Sequence, residues 1–297
     1  MTDVPRSDPD SHATTALDPS APVLRVGHSP DPDDAFMFYG LAQGAVRIRN
    51  YRIEHVLEDI ESLNRRARRR ELEITAISAH AYPRVAQDYW ILSTGASMGR
   101  GYGPLVVAKR PMTLADLRGR RVAIPGAWTT AALLLALYAD GYEPVETAFD
   151  KIPEAVLEGR VDAGVLIHEG QLTYSAQGLA KIADFGELWA AETGGLPLPL
   201  GLDVVRADLG LELCREINRG LRDSIRYGRD HEEDALAYAL TFGRGLDREL
   251  GRRFVAMYVS QDTVDMGAEG RQALRLLFRR GADHGIIPSV PELMVID

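Results

Sequence analysis

The sequence predicts an α/β protein built as two lobes, on three observations. Short apolar extended runs alternate with helix-period segments across residues 23–192, the grammar of parallel βαβ units. From about residue 209 the pattern changes to helices only. Gly and Pro cluster at Gly103-Pro104 and across residues 198–203, where links between two units are expected. The 297 residues suffice for two domains of roughly 100–200 residues each. The expected division is a disordered tail at 1–22, one lobe from 23–106 together with 204–297, and a second lobe from 107–203.

Taken in order, residues 23–27 read as a strand, and 33–43 as a helix whose first residues are acidic and suit its N-terminal dipole. Residues 52–57 are extended, 60–70 helical, and 72–77 a buried strand followed by a helix from about Ala79. Strand patterns recur at 89–93 and 105–109. The second unit opens with a short helix at 113–117, a strand at 121–125 and a strongly apolar helix at 129–139 stopped by Gly141. A strand at 145–149, a helical turn at 153–158 and a fully apolar strand at 161–167 follow. A strand at 180–183 and a helix at 185–192 close the unit. Helices at 211–228, 232–242, 247–258 and 268–284 carry apolar positions at three- and four-residue spacing, so one face of each should pack on a sheet.

Composition narrows the function classes. With 45% hydrophobic and 26% charged residues the chain is an ordinary globular protein, which excludes collagen, coiled coil and bulk disorder. Its longest apolar stretch, 131–139, is far short of the roughly 20 residues that span a bilayer, so no membrane partner is expected. Thirty-four Lys and Arg against 43 Asp and Glu give a net charge of −9, a poor match to nucleic acid. The basic run Arg65-Arg66-Ala67-Arg68-Arg69-Arg70 lies in a predicted helix beside Glu71 and Glu73 and reads as an ion-paired, solvated face. Cys214 stands alone within a helical pattern and reads as a buried inert thiol. Residues 1–22 have no apolar core segment and no basic start, so a cytoplasmic location is expected.

A chain that crosses between lobes twice places its ligand in the cleft, beyond the carboxyl ends of strands. Four segments meet that condition. Gly27-His28-Ser29-Pro30-Asp31-Pro32-Asp33-Asp34 is stiffened by two prolines and reads either as a helix cap or as a rigid polar lip at the cleft. Ala76-Ile77-Ser78-Ala79-His80 ends a strand, with Ser78 placed as a cap whose hydroxyl could also hold an anion. Pro125-Gly126-Ala127-Trp128-Thr129-Thr130 turns sharply into the apolar helix, and the two threonines serve either as plain caps or as an anion site. His168-Glu169 follows a buried strand, and an imidazole there suits either a loop hydrogen bond or general-base work near neutral pH. No HExxH spacing, Walker motif or Gly-x-Ser-x-Gly elbow accompanies them, so no metal is expected.

Together these motifs resemble the 1,4-dihydroxy-6-naphthoate synthase family of menaquinone biosynthesis, from about Leu24 to the C-terminus. The resemblance rests on Ser29-Pro30, Pro32, Asp34, Phe36 and Phe38-Tyr39, and on Val56-Leu57-Glu58-Asp59-Ile60-Glu61 with Leu63-Asn64-Arg65. It continues through Gly99-Arg100-Gly101, Gly103-Pro104-Leu105-Val106-Val107-Ala108, Thr129-Thr130-Ala131, Ile167-His168-Glu169, Thr173-Tyr174 and Leu196-Pro197-Leu198-Pro199-Leu200-Gly201. It implies a fold like type II periplasmic binding proteins, and a lyase that cleaves cyclic dehypoxanthine futalosine to the dihydroxynaphthoate and a sugar-derived fragment, with no cofactor. It implies His168 as proton acceptor and substrate contacts at Ala76, Ile77, Ser78, Thr129 and Thr130. On this reading the threonines hold a small-molecule carboxylate, Ser78 and Asn64 position the sugar-derived part, and Ser29 lies at the cleft lip. The expected assembly is a monomer or homodimer.

Two departures touch the lip. The family's first loop commonly reads Ser-Pro-Cys-Pro-Asn-Asp, and here Asp31 and Asp33 replace the Cys and Asn. Ala76 replaces a residue that is often basic or polar, and His80 stands where alanine is common. The competing expectations are a non-enzymatic solute-binding or sensor protein of the same fold, and the sibling chorismate dehydratase.

Overall fold

The computed structural model describes residues 19–243 and 246–297, so most of the expected tail, residues 1–18, lies outside the described residues. Before the first passage between sheets the chain forms β1 (Val23–His28), β2 (Arg52–Leu57), β3 (Ile74–Ser78), β4 (Tyr89–Leu92) and β5 (Ser97–Gly99). After it come β6 (Leu105–Ala108), β7 (Arg121–Ile124), β8 (Glu143–Glu146), β9 (Ala163–Leu166) and β10 (Ala180–Asp184). Strands β11 (Leu198–Arg206) and β12 (Val295–Ile296) then rejoin the first sheet. The larger sheet has the order β12-β4-β11-β3-β1-β2 with β5 beside β11, and the smaller is β10-β6-β9-β7-β8.

Parallel pairing of β1 with β2 and β3, and of β7 with β8 and β9, follows from the intervening helical crossovers. Both sheets are nonetheless mixed. The first strand laid down after each crossing, β6 and then β11, runs antiparallel to its neighbours. The crossings fall between β5 and β6, a span that holds Gly103-Pro104, and before β11, so the lobe boundaries expected at 106 and 203 lie within β6 and β11.

The helices in chain order are α1 (Pro32–Met37), α2 (Tyr39–Ala42), α3 (Ile60–Arg68), α4 (Thr130–Tyr138), α5 (Ile152–Leu157) and α6 (Gly170–Thr173). They continue with α7 (Phe185–Thr193), α8 (Leu211–Asp230), α9 (Glu232–Leu240), α10 (Arg248–Tyr258), α11 (Gln261–Val264) and α12 (Gly267–Asp283). Side-chain caps hold several starts: Asp59 accepts from Glu61 and Ser62, Asp184 from Gly186 and Glu187, and Asp247 from Leu250. Helix α8 buries Leu213, Cys214, Ile217, Leu221 and Ile225, the three- and four-residue spacing that lays one face on the sheet.

Four expectations change. The helix expected at 33–43 breaks at Phe38, whose N–H is shared by the Asp34 and Phe36 carbonyls while its ring stacks on His28 at 4.6 Å. The helix expected from Ala79 is a 3₁₀ turn over Ala79–Arg84, because Pro83 has no N–H to continue an α-helix. The link expected at 198–203 is the start of β11, a central strand; its Pro199 and Gly201 flank a shift in pairing with β5, so they mark a bulge rather than a turn. The C-terminal segment is not purely helical, since β12 pairs with β4. The arginine run is ion-paired, Arg66 with Glu58 and Glu71 and Arg70 with Asp208. Among the described residues no helix is long and apolar enough to cross a membrane.

Candidate active site between the lobes

Loops and strand ends of both sheets open on one cavity. From the larger sheet come the loop after β1, the end of β3 and the middle of β11; from the smaller come the start of α4 and the loop after β9. Of the residues singled out by sequence, Ser29, Ala76, Ile77, Ser78, Thr129, Thr130 and His168 line it. Asn64 does not. It is buried behind Ser78, accepting from the Ser78 N–H at 2.8 Å and donating to the Ser78 hydroxyl at 3.3 Å. Asn64, on helix α3 packed against β3, therefore sets the position of Ser78 rather than lining the cavity.

Thr129 caps helix α4: its hydroxyl accepts from Ala132 N–H at 3.2 Å and donates to the Gly126 carbonyl at 2.8 Å. Thr130 donates to the Leu200 carbonyl at 2.6 Å and accepts from the His80 N–H at 3.3 Å. Both hydroxyls are thus committed to backbone. What the helix start offers an anion is its first N–H groups, at Thr130 and Ala131, which have no acceptor within the helix. Ser78 sits at the cap position of the 3₁₀ turn but makes no cap bond, since Asn64 engages it.

His168 follows β9 with a φ of +52°, a left-handed conformation that is costly for a residue with a Cβ. Its ring packs edge-on to Phe149 at 5.0 Å. Its Nδ1 lies 3.0 Å from Asp31 Oδ2, and the imidazole is 17% exposed against 2% for the Asp31 side chain. The carboxylate on the imidazole therefore comes from the other lobe, not from the sequence-adjacent Glu169.

The cavity is more acidic than the sequence pattern suggests. Asp31, Asp33, Asp34 and Asp203 all line it. Burial, with the charge of Asp34, pushes Asp31 up to about 8. Burial and then Asp31 push Asp33 well above the carboxylate range, and burial and then Asp33 do the same to Asp34, even though Asp34 accepts from the Ser29 N–H at 2.7 Å. Burial alone carries Asp203 to about 8. Gly95, at φ +90°, leaves room for it: a Cβ there would collide with the Asp203 carboxylate. The signal available in the sequence was the run of three acids at 31–34; nothing local marked Asp203, Gln171 or Tyr258, which hydrogen-bond or border the cavity only through tertiary packing. Asp31, Asp33 and His168 bring donor atoms within 4.8 Å of one another, a set that a divalent cation could use.

A family model described as menaquinone biosynthesis matches residues 24–283. A 1,4-dihydroxy-6-naphthoate synthase of Thermus thermophilus is 42% identical over 274 residues, covering 92% of this chain and 99% of that protein. The enzyme of the same name from Streptomyces coelicolor is 37% identical, covering 91% of this chain and 97% of its own. Among solved structures, a protein of Archaeoglobus fulgidus superposes with a TM-score of 0.85 at 47% identity over 93% of this chain and all of its own. An alkanesulfonate-binding protein of Xanthomonas axonopodis superposes with a TM-score of 0.71 at 15% identity, over 93% of this chain and 99% of its own. That last likeness places the two-lobed architecture in the periplasmic-binding-protein fold and says nothing of chemistry.

Proposed function

The chain belongs to the menaquinone-biosynthesis family, and from that premise we propose that it is a 1,4-dihydroxy-6-naphthoate synthase acting on cyclic dehypoxanthine futalosine with His168 as general base. The observation that carries the assignment of the base is that His168 is the one histidine among the described residues lining the inter-lobe cavity.

The reading assigns the substrate carboxylate to the N–H groups that open α4, where the helix dipole favours an anion. The sugar-derived hydroxyls then fall toward Ser29, Ser78 and His168. His168 takes a hydroxyl proton, the alkoxide collapses to a carbonyl as the adjacent carbon–carbon bond breaks, and the released electron pair enters the ring system that ends as the hydroquinone. Aromatisation supplies the drive, and the protein supplies a base, an anchor and shelter from water; a positioned base contributes about 10²–10⁴-fold. The same reading assigns a cytoplasmic monomer or homodimer that works without metal or organic cofactor, nucleic acid or membrane.

Mass-spectrometric product analysis of the purified protein with cyclic dehypoxanthine futalosine tests it. The expected result is dihydroxynaphthoate from the intact protein and a loss of about 10²–10⁴-fold in His168→Ala. Saturable binding without product would favour a solute-binding or sensor protein instead.

A further inference from the structure

We propose that Tyr258 is a second catalytic residue, whose hydroxyl donates a hydrogen bond to the substrate oxygen that gathers charge as the carbon–carbon bond breaks. Gln171 is its positioning residue. The proposal rests on the proposed lyase activity.

The chemistry requires such a donor. When His168 takes the hydroxyl proton, the electrons left on that oxygen form the new carbonyl and the adjacent carbon–carbon bond breaks. The released pair enters the ring and comes to rest on one of the two oxygens that end as hydroquinone hydroxyls. Negative charge therefore builds there, in a cavity lined by Asp31, Asp33, Asp34 and Asp203. The N–H groups that open α4 are already assigned to the substrate carboxylate, and the Thr129 and Thr130 hydroxyls donate to backbone carbonyls. A donor fixed in advance at the developing oxyanion favours the transition state over the ground state. The proton held by His168 then neutralises that oxygen, so no outside acid or oxidant is needed.

Two phenols stand side by side at the end of α10, with ring centres 5.7 Å apart. Tyr102 is outside the cavity lining, and its hydroxyl donates to the Met98 and Met257 carbonyls. Tyr258, the last residue of α10, is buried and lines the cavity. Its oxygen accepts from the Gln171 amide on α6, of the other lobe. That bond occupies a lone pair and leaves the phenol proton uncommitted. Among the described residues no acceptor is within hydrogen-bond distance of it. Buried polar groups find partners, and at a cavity wall the partner for this proton is an oxygen of the ligand. The Gln171 N–H bonds the His168 carbonyl at 3.2 Å, so one turn of chain carries both the base and the group that orients the phenol. Phe254 packs on the Tyr258 ring at 4.8 Å, and Tyr258→Phe removes the hydroxyl while keeping that packing.

The test compares steady-state kinetics of the full chain with those of Tyr258→Phe, Gln171→Leu and the double variant, each checked for folding by its thermal melt. Binding of the product dihydroxynaphthoate is titrated alongside. Tyr258→Phe is expected to lower kcat by about 10²–10³-fold, with KM and product affinity held within about threefold. Gln171→Leu should lower kcat by less. The double variant should fall no further than Tyr258→Phe, because Gln171 acts through the phenol. It also leaves no unpaired amide behind, and so replaces Tyr258→Phe in the comparison if that variant does not fold. A kcat kept within about threefold without the hydroxyl overturns the proposal, as does a loss carried wholly by KM. Losses that multiply in the double variant overturn the role of Gln171. Absence of product from wild type overturns the lyase activity and this proposal together, whereas product from an unimpaired Tyr258→Phe overturns this proposal alone.

Discussion

Asp203 enters the cavity from the middle of β11, and its burial has a consequence for stability that reaches well beyond the site. An acid that ionises near 8 when folded and near 3.8 when unfolded holds a proton in the native state that the unfolded chain has lost. Its contribution is complete below the unfolded value and disappears as pH rises through 8. Asp31, Asp33 and Asp34 act in the same direction. His28 and His80, which burial lowers to about 3 and about 4, act oppositely but only below about 6.5, where the unfolded imidazole titrates. Between pH 6.5 and 8.5 the acids therefore decide the sign. We expect the melting temperature to fall over that interval, by on the order of 1–2 kcal/mol for Asp203 alone, and Asp203→Asn to flatten the fall. Melts that rise with pH, or that keep the same slope in the variant, would contradict this account.

Helix α4 joins local sequence to the site at the next scale. It has no polar face: Ala131, Ala132, Leu133, Leu134 and Leu135 are all buried, and only the last turn, Ala136–Tyr138, is half-buried. Its first N–H groups open on the cavity, so they depend on Thr129 and on whatever fills that cavity. Thr129→Ala should cost about 1–2 kcal/mol in chemical denaturation and raise KM, and Thr129→Ser should restore both. Equal behaviour of Ala and Ser would remove the hydroxyl from the argument. The start of this helix was legible because Gly126, the threonines and an apolar run stand in the right order. Strand β11 was not, because Pro199 and Gly201 in isolation signal a turn, and only pairing with β3, β4 and β5 shows them as a bulge in a central strand.

For the whole molecule, the lobes share more than two connecting segments. Leu133, Leu134 and Leu135 of α4 belong to one hydrophobic cluster with Val106 and Val165 of the smaller sheet and Ile77, Val204, Leu277 and Phe278 of the larger lobe. Around the cavity, Glu61 accepts from the Trp128 N–H at 3.0 Å, and the guanidinium groups of Arg65 and Arg84 lie 5.7 and 5.6 Å from the centre of the Trp128 ring. A continuous core of this kind resists the hinge closure that separate lobes undergo around a ligand. Small-angle scattering is expected to give the same radius of gyration with and without a saturating carboxylate ligand. A clear compaction on binding would mean that the shared core is not holding the lobes.

The α/β class, the two-lobe plan and the loops that carry Ser29, Ser78, Thr129 and His168 were determined by the sequence itself, because alternation, capping and Gly and Pro placement are short-range signals. What tertiary structure alone decided is which groups meet. Glu169 adjoins His168 in the chain, yet Asp31, 137 positions earlier, holds its Nδ1. Asn64 matches a family motif and stands behind Ser78 rather than in the cavity. Four carboxylates become neighbours with raised proton affinities because burial removes their water. Charge and hydrogen-bonding partners act over a few ångströms of space, and that distance is fixed by packing between lobes, not by separation along the chain.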